Sequence, residues 1–281
     1  MLAQLLISAE QLLALQAAGT SAILLDAGFD LFNVEAGLQD WRAGHLPGSH
    51  YLHLDRDLAG AKTGRNGRHP LPEKAAFART LGRFGVSPAT PVVALDRQGG
   101  VYAARVWWML RWMGHAKVAV LDGGVAAWVA AGGSLVKQAA APIAAEPYPD
   151  RVPLAQFVDA AGVSSTLGRV PIIDARSPER YRGEVEPLDA KPGHIPGALN
   201  RFFKLNLNAE GRFKPPEALR AEFGALLNGQ DPTNVVHQCG SGVTACHNML
   251  AMECAGMAGS RLYPGSWSEW SADPQRPVAL G

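Results

Sequence analysis

Two kinds of hydrophobic run alternate along the chain. Short aliphatic stretches without polar interruption, Ile23–Leu25, Val92–Leu95 and Val118–Leu121, read as strands buried on both faces. Between them, Glu73–Phe84 and Tyr102–Met113 place apolar residues three and four apart, which is helical spacing. The second half repeats the alternation, with strands at Ile172–Ile173 and Val235–His237 and helices at Pro216–Leu227 and Val243–Cys254. Strands that alternate with helices predict an α/β fold, a parallel sheet flanked by helices.

The two halves also match one another residue by residue. Ala22–Ala27 (AILLDA) resembles Val170–Ala175 (VPIIDA), and each leads through a turn to Gly44–Gly48 (GHLPG) or Gly193–Gly197 (GHIPG). Further on, Pro91–Asp96 (PVVALD) corresponds to Asn234–Cys239 (NVVHQC), and Val118–Trp128 to Gly259–Trp270. Anchors in the same order imply two homologous domains in tandem. The stretch 133–150 is rich in Ala and Pro and has neither period, so the linker is placed at 136–150, between domains at 1–135 and 151–281.

Composition narrows the function classes. A chain of 281 residues that is 47% hydrophobic and 18% charged is a globular protein with room for two cores. The 26 Lys and Arg nearly balance the 25 Asp and Glu, so no charge surplus favours nucleic acid as a partner. No run of 18 apolar residues predicts a membrane span, and the N-terminal stretch lacks the basic region and cleavage site of a secretory signal. A cytoplasmic protein is expected. Cys239, Cys246 and Cys254 form no CxxC pair, which argues against a disulfide framework and a zinc site.

Cys239 carries the chemistry. It follows the strand ending at Gln238 and opens the turn Cys239-Gly240-Ser241-Gly242-Val243-Thr244 before a helix. Two glycines let successive backbone N–H groups converge on an anion at the helix start, and such a nest raises the thiolate fraction of a cysteine. The alternative is a small buried thiol beside a tight turn. The matching position of the first half is Asp96, in the loop Asp96-Arg97-Gln98-Gly99-Gly100-Val101, so one nucleophilic site per chain is expected. Cys246 and Cys254, on the following helix, read as packing residues. A cysteine held by backbone amides serves phosphate-ester hydrolysis or sulfur transfer. Hydrolysis needs an Arg six positions after the nucleophile, where Ala245 stands.

Tandem domains with GHLPG and GHIPG, the loop CGSGVTA (Cys239–Ala245) and YPGSWSEW (Tyr263–Trp270) resemble the two-domain rhodanese sulfurtransferases over nearly the whole chain. The loop is similar to that of the 3-mercaptopyruvate branch; thiosulfate-preferring members carry basic residues where Gly240 and Ser241 stand. The resemblance implies that Cys239 takes the outer sulfur of a donor as a persulfide and passes it to cyanide or a thiol acceptor, such as thioredoxin or a small thiol. The amides of Gly240, Gly242, Val243 and Thr244 would bind the anion, and no metal or organic cofactor is required.

The resemblance also implies cationic recognition of the donor, by Arg180 and secondarily Arg182 in ERYRG, and a relay in which Ser241, His69 and Asp55 assist protonation on the substrate side. One departure stands out. Where the family usually has a second Arg in an E-P-R stretch, Glu186-Pro187 is followed by Leu188, with Lys191 as a partial substitute. That departure favours thiosulfate and the loop favours 3-mercaptopyruvate; a non-enzymatic persulfide carrier is the alternative from another class. A monomer is expected. His45 and His194 precede the Pro-Gly turns of both halves and read as structural, as do Asp26 and Asp174 at matching strand ends. Arg176 reads as a loop brace, and Trp267 and Trp270 as packing residues.

Overall fold

The computed structural model describes residues 4–140 and 146–281. The chain divides into two compact units. The first comprises Met1–Gly60, Pro72–Leu154 and Ala209–Arg212; the second comprises Ala61–Leu71, Ala155–Asn208 and Phe213–Gly281. Residues 141–145, inside the expected linker, fall outside the described residues. Beyond them the backbone stays with the first unit, where Tyr148 N donates to Ala78 O at 3.0 Å and Leu154 N to Arg111 O at 2.8 Å.

Each unit holds a five-stranded, wholly parallel sheet of the same topology. The first contains β1 (Leu6–Ile7), β2 (Ile23–Asp26), β3 (Ser49–Tyr51), β4 (Val92–Leu95) and β5 (Val118–Leu121), in the order β1-β5-β4-β2-β3. The second contains β6 (Gln156–Phe157), β7 (Ile172–Asp174), β8 (Leu199–Asn200), β9 (Val236–Gln238) and β10 (Arg261–Leu262), in the order β6-β10-β9-β7-β8. The central strands β4 and β5 are buried at every residue, as parallel strands covered on both faces must be. Helices at Lys74–Arg83, Ala103–Trp112, Pro216–Leu227 and Thr244–Cys254 end within one residue of the predicted ranges. The expectation of two α/β domains, each a parallel sheet flanked by helices, is met.

This topology creates the place for a site. In the second unit the chain runs outward from β7 to β8 and returns to β9 on the other side of β7. Strand order therefore reverses between β7 and β9, and a crevice opens at their carboxyl ends. Asp174 ends β7 and pairs in register with Gln238 at the end of β9, immediately before Cys239. The two Pro-Gly turns are held alike in the two units. His45 Nδ1 lies 2.7 Å from Trp41 O and its ring stacks on Trp41 at 3.9 Å; His194 Nδ1 lies 2.8 Å from Tyr181 O and its ring stacks on Tyr181 at 3.8 Å. Both histidines are buried parts of the scaffold.

Candidate active site

Cys239 is only 2% exposed. The amide of Gly242 donates to its Sγ at 3.1 Å, so one N–H of the turn already points at the sulfur. Gly242 has φ +75°, and a Cβ there would collide with the carbonyl of Pro264, so glycine is required on both counts. Val243 caps the helix Thr244–Cys254, which puts the sulfur beside the positive end of an eleven-residue helix. The turn is sewn to the segment after β10: Cys239 N donates to Ser266 Oγ (3.1 Å), Trp267 N to Cys239 O (2.9 Å) and Ser268 N to Gly240 O (2.9 Å). Ser266 is buried at φ +52°, a region that L-residues avoid, and its hydroxyl donates onward to Tyr263 O at 2.8 Å. Its sequence context, YPGSWSEW, shows no sign of this anchoring role.

The first unit contains an internal control. At the position matching Cys239, the buried Asp96 carboxylate accepts four backbone N–H groups, from Gln98 (2.9 Å), Gly100 (2.9 Å), Tyr102 (2.8 Å) and Ala103 (3.0 Å). The turn after the central strand is therefore an anion nest by construction. In the first unit a carboxylate of its own fills it; in the second a thiol stands at its edge.

Ser241 and His69 come together: Ser241 Oγ lies 2.7 Å from His69 Nδ1, and both residues are buried. His69 reaches the loop because Ala61–Leu71 clusters with the second unit. A Cβ at Gly67 would meet the Gly265 carbonyl at 2.7 Å, and Arg68 N donates to Ser268 Oγ at 3.0 Å. Asp55, the third residue of the expected relay, belongs to the first unit, on the short helix Leu54–Asp57, where its amide donates to His53 Nδ1 at 3.1 Å.

Arg180 faces the same turn. A Cβ at Gly240 would lie 3.5 Å and 3.6 Å from its Nη1 and Nη2. Nη2 is held by Glu186 Oε1 (2.6 Å) and Asp189 Oδ2 (3.2 Å), while Nε is buried with no hydrogen-bond partner among the described residues. Arg182 instead pairs with Glu184, Nε to Oε1 at 2.7 Å and Nη2 to Oε2 at 3.0 Å, both side chains substantially exposed. Arg176 is a brace. It is buried against Asp174, Glu186 and Gly193 O, with its guanidinium 4.8 Å from the Trp267 ring. Burial opposes its charge, but Asp174 and Glu186 outweigh that penalty and hold its pKa above the ordinary range. Trp267 and Trp270 are wholly buried, their indole N–H groups donating to Lys191 O and Pro277 O.

One residue at the site went unread in the sequence. Arg68 ion-pairs with Asp189, and its Nη2 would lie 2.7 Å from a Cβ at Gly240. Its only sequence signal is that it directly precedes His69. Leu188, where a cation was missed, gives its amide to Glu186 Oε1 at 3.1 Å.

The chain is similar to known proteins over nearly its whole length. The rhodanese-like domain profile matches residues 8–131 and again 159–273. A Pseudomonas aeruginosa protein named "Probable 3-mercaptopyruvate sulfurtransferase" is 44% identical over 282 residues, covering 98% of each chain. A Mycobacterium tuberculosis protein provisionally named thiosulfate sulfurtransferase SseB is 38% identical over 283 residues, covering 99% of this chain and 98% of the relative. Among solved structures, 3-mercaptopyruvate sulfurtransferase from Leishmania major superposes with a TM-score of 0.85 at 27% identity, over 98% of this chain and 76% of that one.

Proposed function

The chain belongs to the rhodanese family and is a sulfurtransferase, and on that premise we propose that it moves sulfane sulfur from 3-mercaptopyruvate or thiosulfate, through a persulfide on Cys239, to cyanide or a thiol acceptor such as thioredoxin or a small thiol. The observation that carries the reading is the pair of matching turns, one filled by the Asp96 carboxylate with four amides and the other opened by a thiol that already receives the Gly242 amide.

In the first half-reaction the Cys239 thiolate attacks the donor sulfur. A sulfur–sulfur bond forms to Cys239, and the bond from that sulfur to the rest of the donor breaks, its electron pair leaving with the donor. Thiosulfate releases sulfite. 3-Mercaptopyruvate releases the enolate of pyruvate, which takes a proton at carbon. The persulfide is anionic, and the Cys239–Thr244 turn supplies amides for it; removing one such donor from an anion-stabilising site costs about 10²–10³ in rate. In the second half-reaction a thiolate or cyanide attacks the outer sulfur, and the electron pair of the sulfur–sulfur bond returns to Cys239 as thiolate.

The Ser241–His69 hydrogen bond supports a proton path on the donor side. A hydroxyl backed by an imidazole delivers a proton near neutral pH, which the pyruvate enolate needs and sulfite does not. Asp55 is proposed as the third member, acting on His69. Arg180 is proposed to bind the donor anion. Arg182, already engaged with Glu184, is proposed only as a contributor to the surrounding positive charge.

No helix among the described residues is long and apolar enough to cross a membrane, and all three cysteines are free thiols. A reducing compartment suits them, and the cytoplasm is the proposed location, with the protein acting as a monomer. The test is thiocyanate formation with cyanide as acceptor, with kcat/KM compared for the two donors. Preference for 3-mercaptopyruvate supports the neutral loop and the Ser241–His69 path; dominant thiosulfate turnover moves the assignment to that donor. Binding of persulfide without turnover of either donor refutes the enzymatic mechanism in favour of a carrier.

A further inference from the structure

We propose that Arg68 is a specificity-determining residue of this site, forming with Arg180 a paired guanidinium cradle over Gly240 that receives the anionic group of the sulfur donor, with Asp189 as the residue that positions both. The inference rests on the donor-binding role of this loop proposed above.

The geometry is specific. One carboxylate, Asp189, takes Nη1 of Arg68 on Oδ1 and Nη2 of Arg180 on Oδ2. Glu186 holds Arg180 Nη2 from the same side and also accepts the amides of Leu188 and Asp189, which fixes the turn that presents the carboxylate. Each arginine is thus gripped at one terminal nitrogen. The other terminal nitrogen of each, Nη2 of Arg68 and Nη1 of Arg180, has no partner among the described residues and faces Gly240, 2.7 Å and 3.5 Å from where a Cβ would stand. Gly240 directly follows the nucleophile. Two oriented donors from two guanidinium planes, one residue from a reactive sulfur, suit a carboxylate or a sulfonate terminus, which accepts two parallel N–H groups.

Three further observations fit. Arg180 Nε is buried without a partner, so this guanidinium has unmet hydrogen-bonding capacity in the site. The main chain of Arg68 is tied down by Ser268 Oγ and by the close approach of Gly67 to the Gly265 carbonyl, so its side chain starts from a fixed point. A side chain at residue 240 would occupy the space between the two guanidiniums and the loop, which accounts for glycine at a position where φ does not demand it. The cation missing at Leu188 is therefore supplied from a different segment of the chain, adjacent to His69.

The experiment compares wild type with Arg68→Gln, Arg68→Lys and Gly240→Ala in two assays. In steady-state turnover, Arg68→Gln is expected to raise the donor KM about tenfold with kcat changed less than about threefold, the signature of lost anion binding. Arg68→Lys should recover only part, because a point charge lacks the fork. Gly240→Ala should push KM in the same direction by displacing Arg68 Nη2. In the second assay Cys239 is alkylated by iodoacetate and by iodoacetamide, and the ratio of the two rates, which reports local positive charge without any donor, should fall about tenfold in Arg68→Gln. If wild type turns over donor but Arg68→Gln changes neither KM nor the alkylation ratio, the cradle is wrong while the sulfurtransferase reading stands. If wild type turns over neither donor, the donor-binding reading fails, and the alkylation ratio alone decides whether Arg68 faces the thiol. Should Arg68→Gln not fold, Arg68→Lys and Gly240→Ala carry the same two readouts.

Discussion

Replacing Ser266 separates stored backbone strain from hydrogen bonding behind the cysteine loop. Its φ of +52° costs an L-residue about 1–2 kcal/mol relative to a relaxed conformation, and costs glycine essentially nothing. Its hydroxyl accepts from Cys239 N and donates to Tyr263 O, and both partners are buried. Ser266→Ala keeps the strain, forfeits both bonds and strands the Cys239 amide, for a loss of about 2–4 kcal/mol. Ser266→Gly forfeits the same bonds but releases the strain; after allowing about 0.5–1 kcal/mol for the freer unfolded chain, it should match or exceed the alanine variant by up to about 1 kcal/mol. The usual order, alanine above glycine, is thereby removed or inverted. Urea midpoints of the two variants, followed with one probe against wild type, measure the difference. Iodoacetamide alkylation of Cys239 should slow in both, since each loses the anchor of the nucleophile's own amide. A glycine variant less stable than alanine by the ordinary margin would refute the strain argument, and unchanged alkylation in both would refute the anchoring role.

Other expectations are more direct. Cys239→Ser should abolish turnover of both donors, measured as thiocyanate formation; residual turnover near the wild-type rate would exclude the persulfide mechanism. Ser241→Ala and His69→Ala should each lower kcat with 3-mercaptopyruvate by about 10²-fold and affect thiosulfate much less, because only the enolate needs a proton; equal losses on both donors would assign the pair a structural role. Arg180→Gln should raise the KM of either donor about tenfold, and Leu188→Arg should shift preference toward 3-mercaptopyruvate, both read from steady-state kinetics. His237 is fully buried, and burial pushes its pKa down to about 3. An unfolded histidine binds its proton near pH 6.5 and the folded one does not, so this residue alone should remove stability at about 1.4 kcal/mol per pH unit as pH falls below that point. Urea midpoints of wild type and His237→Leu between pH 7 and 4 should show the variant with the shallower slope, and parallel slopes would contradict it.

Much of the fold is legible in the chain because its central elements are buried on both faces. Val92–Leu95 and Val118–Leu121 are uninterrupted apolar runs for that reason, and their matching helices carry the 3.6-residue period. The edge strands are different. β1 and β6 hold two residues each and β3 reads Ser-His-Tyr, too short or too polar for a periodic signal, so their membership in the sheets comes from pairing with distant neighbours such as Leu6 with Val120.

The same division runs through the site. A strand followed by Cys-Gly-Ser-Gly and a helix is a local arrangement; glycine at 242 and the sulfur at 239 are consequences of backbone geometry over six residues, and the amino-acid order alone determines them. Arg68 lies 121 residues from Asp189 along the chain, Arg180 only nine, and each is an ordinary charged residue in its own context. What makes them a unit is that Ala61–Leu71 packs with the second unit and Glu186 fixes the turn carrying Asp189, so that one buried carboxylate meets two guanidiniums. The hydrogen bond of Ser241 to His69 and the anchoring of Cys239 by Ser266 are likewise long-range. Local sequence specifies a backbone's dihedral needs and a side chain's chemistry, but the partner of a charge is chosen by which segments share a desolvated space, and only the packed chain decides that.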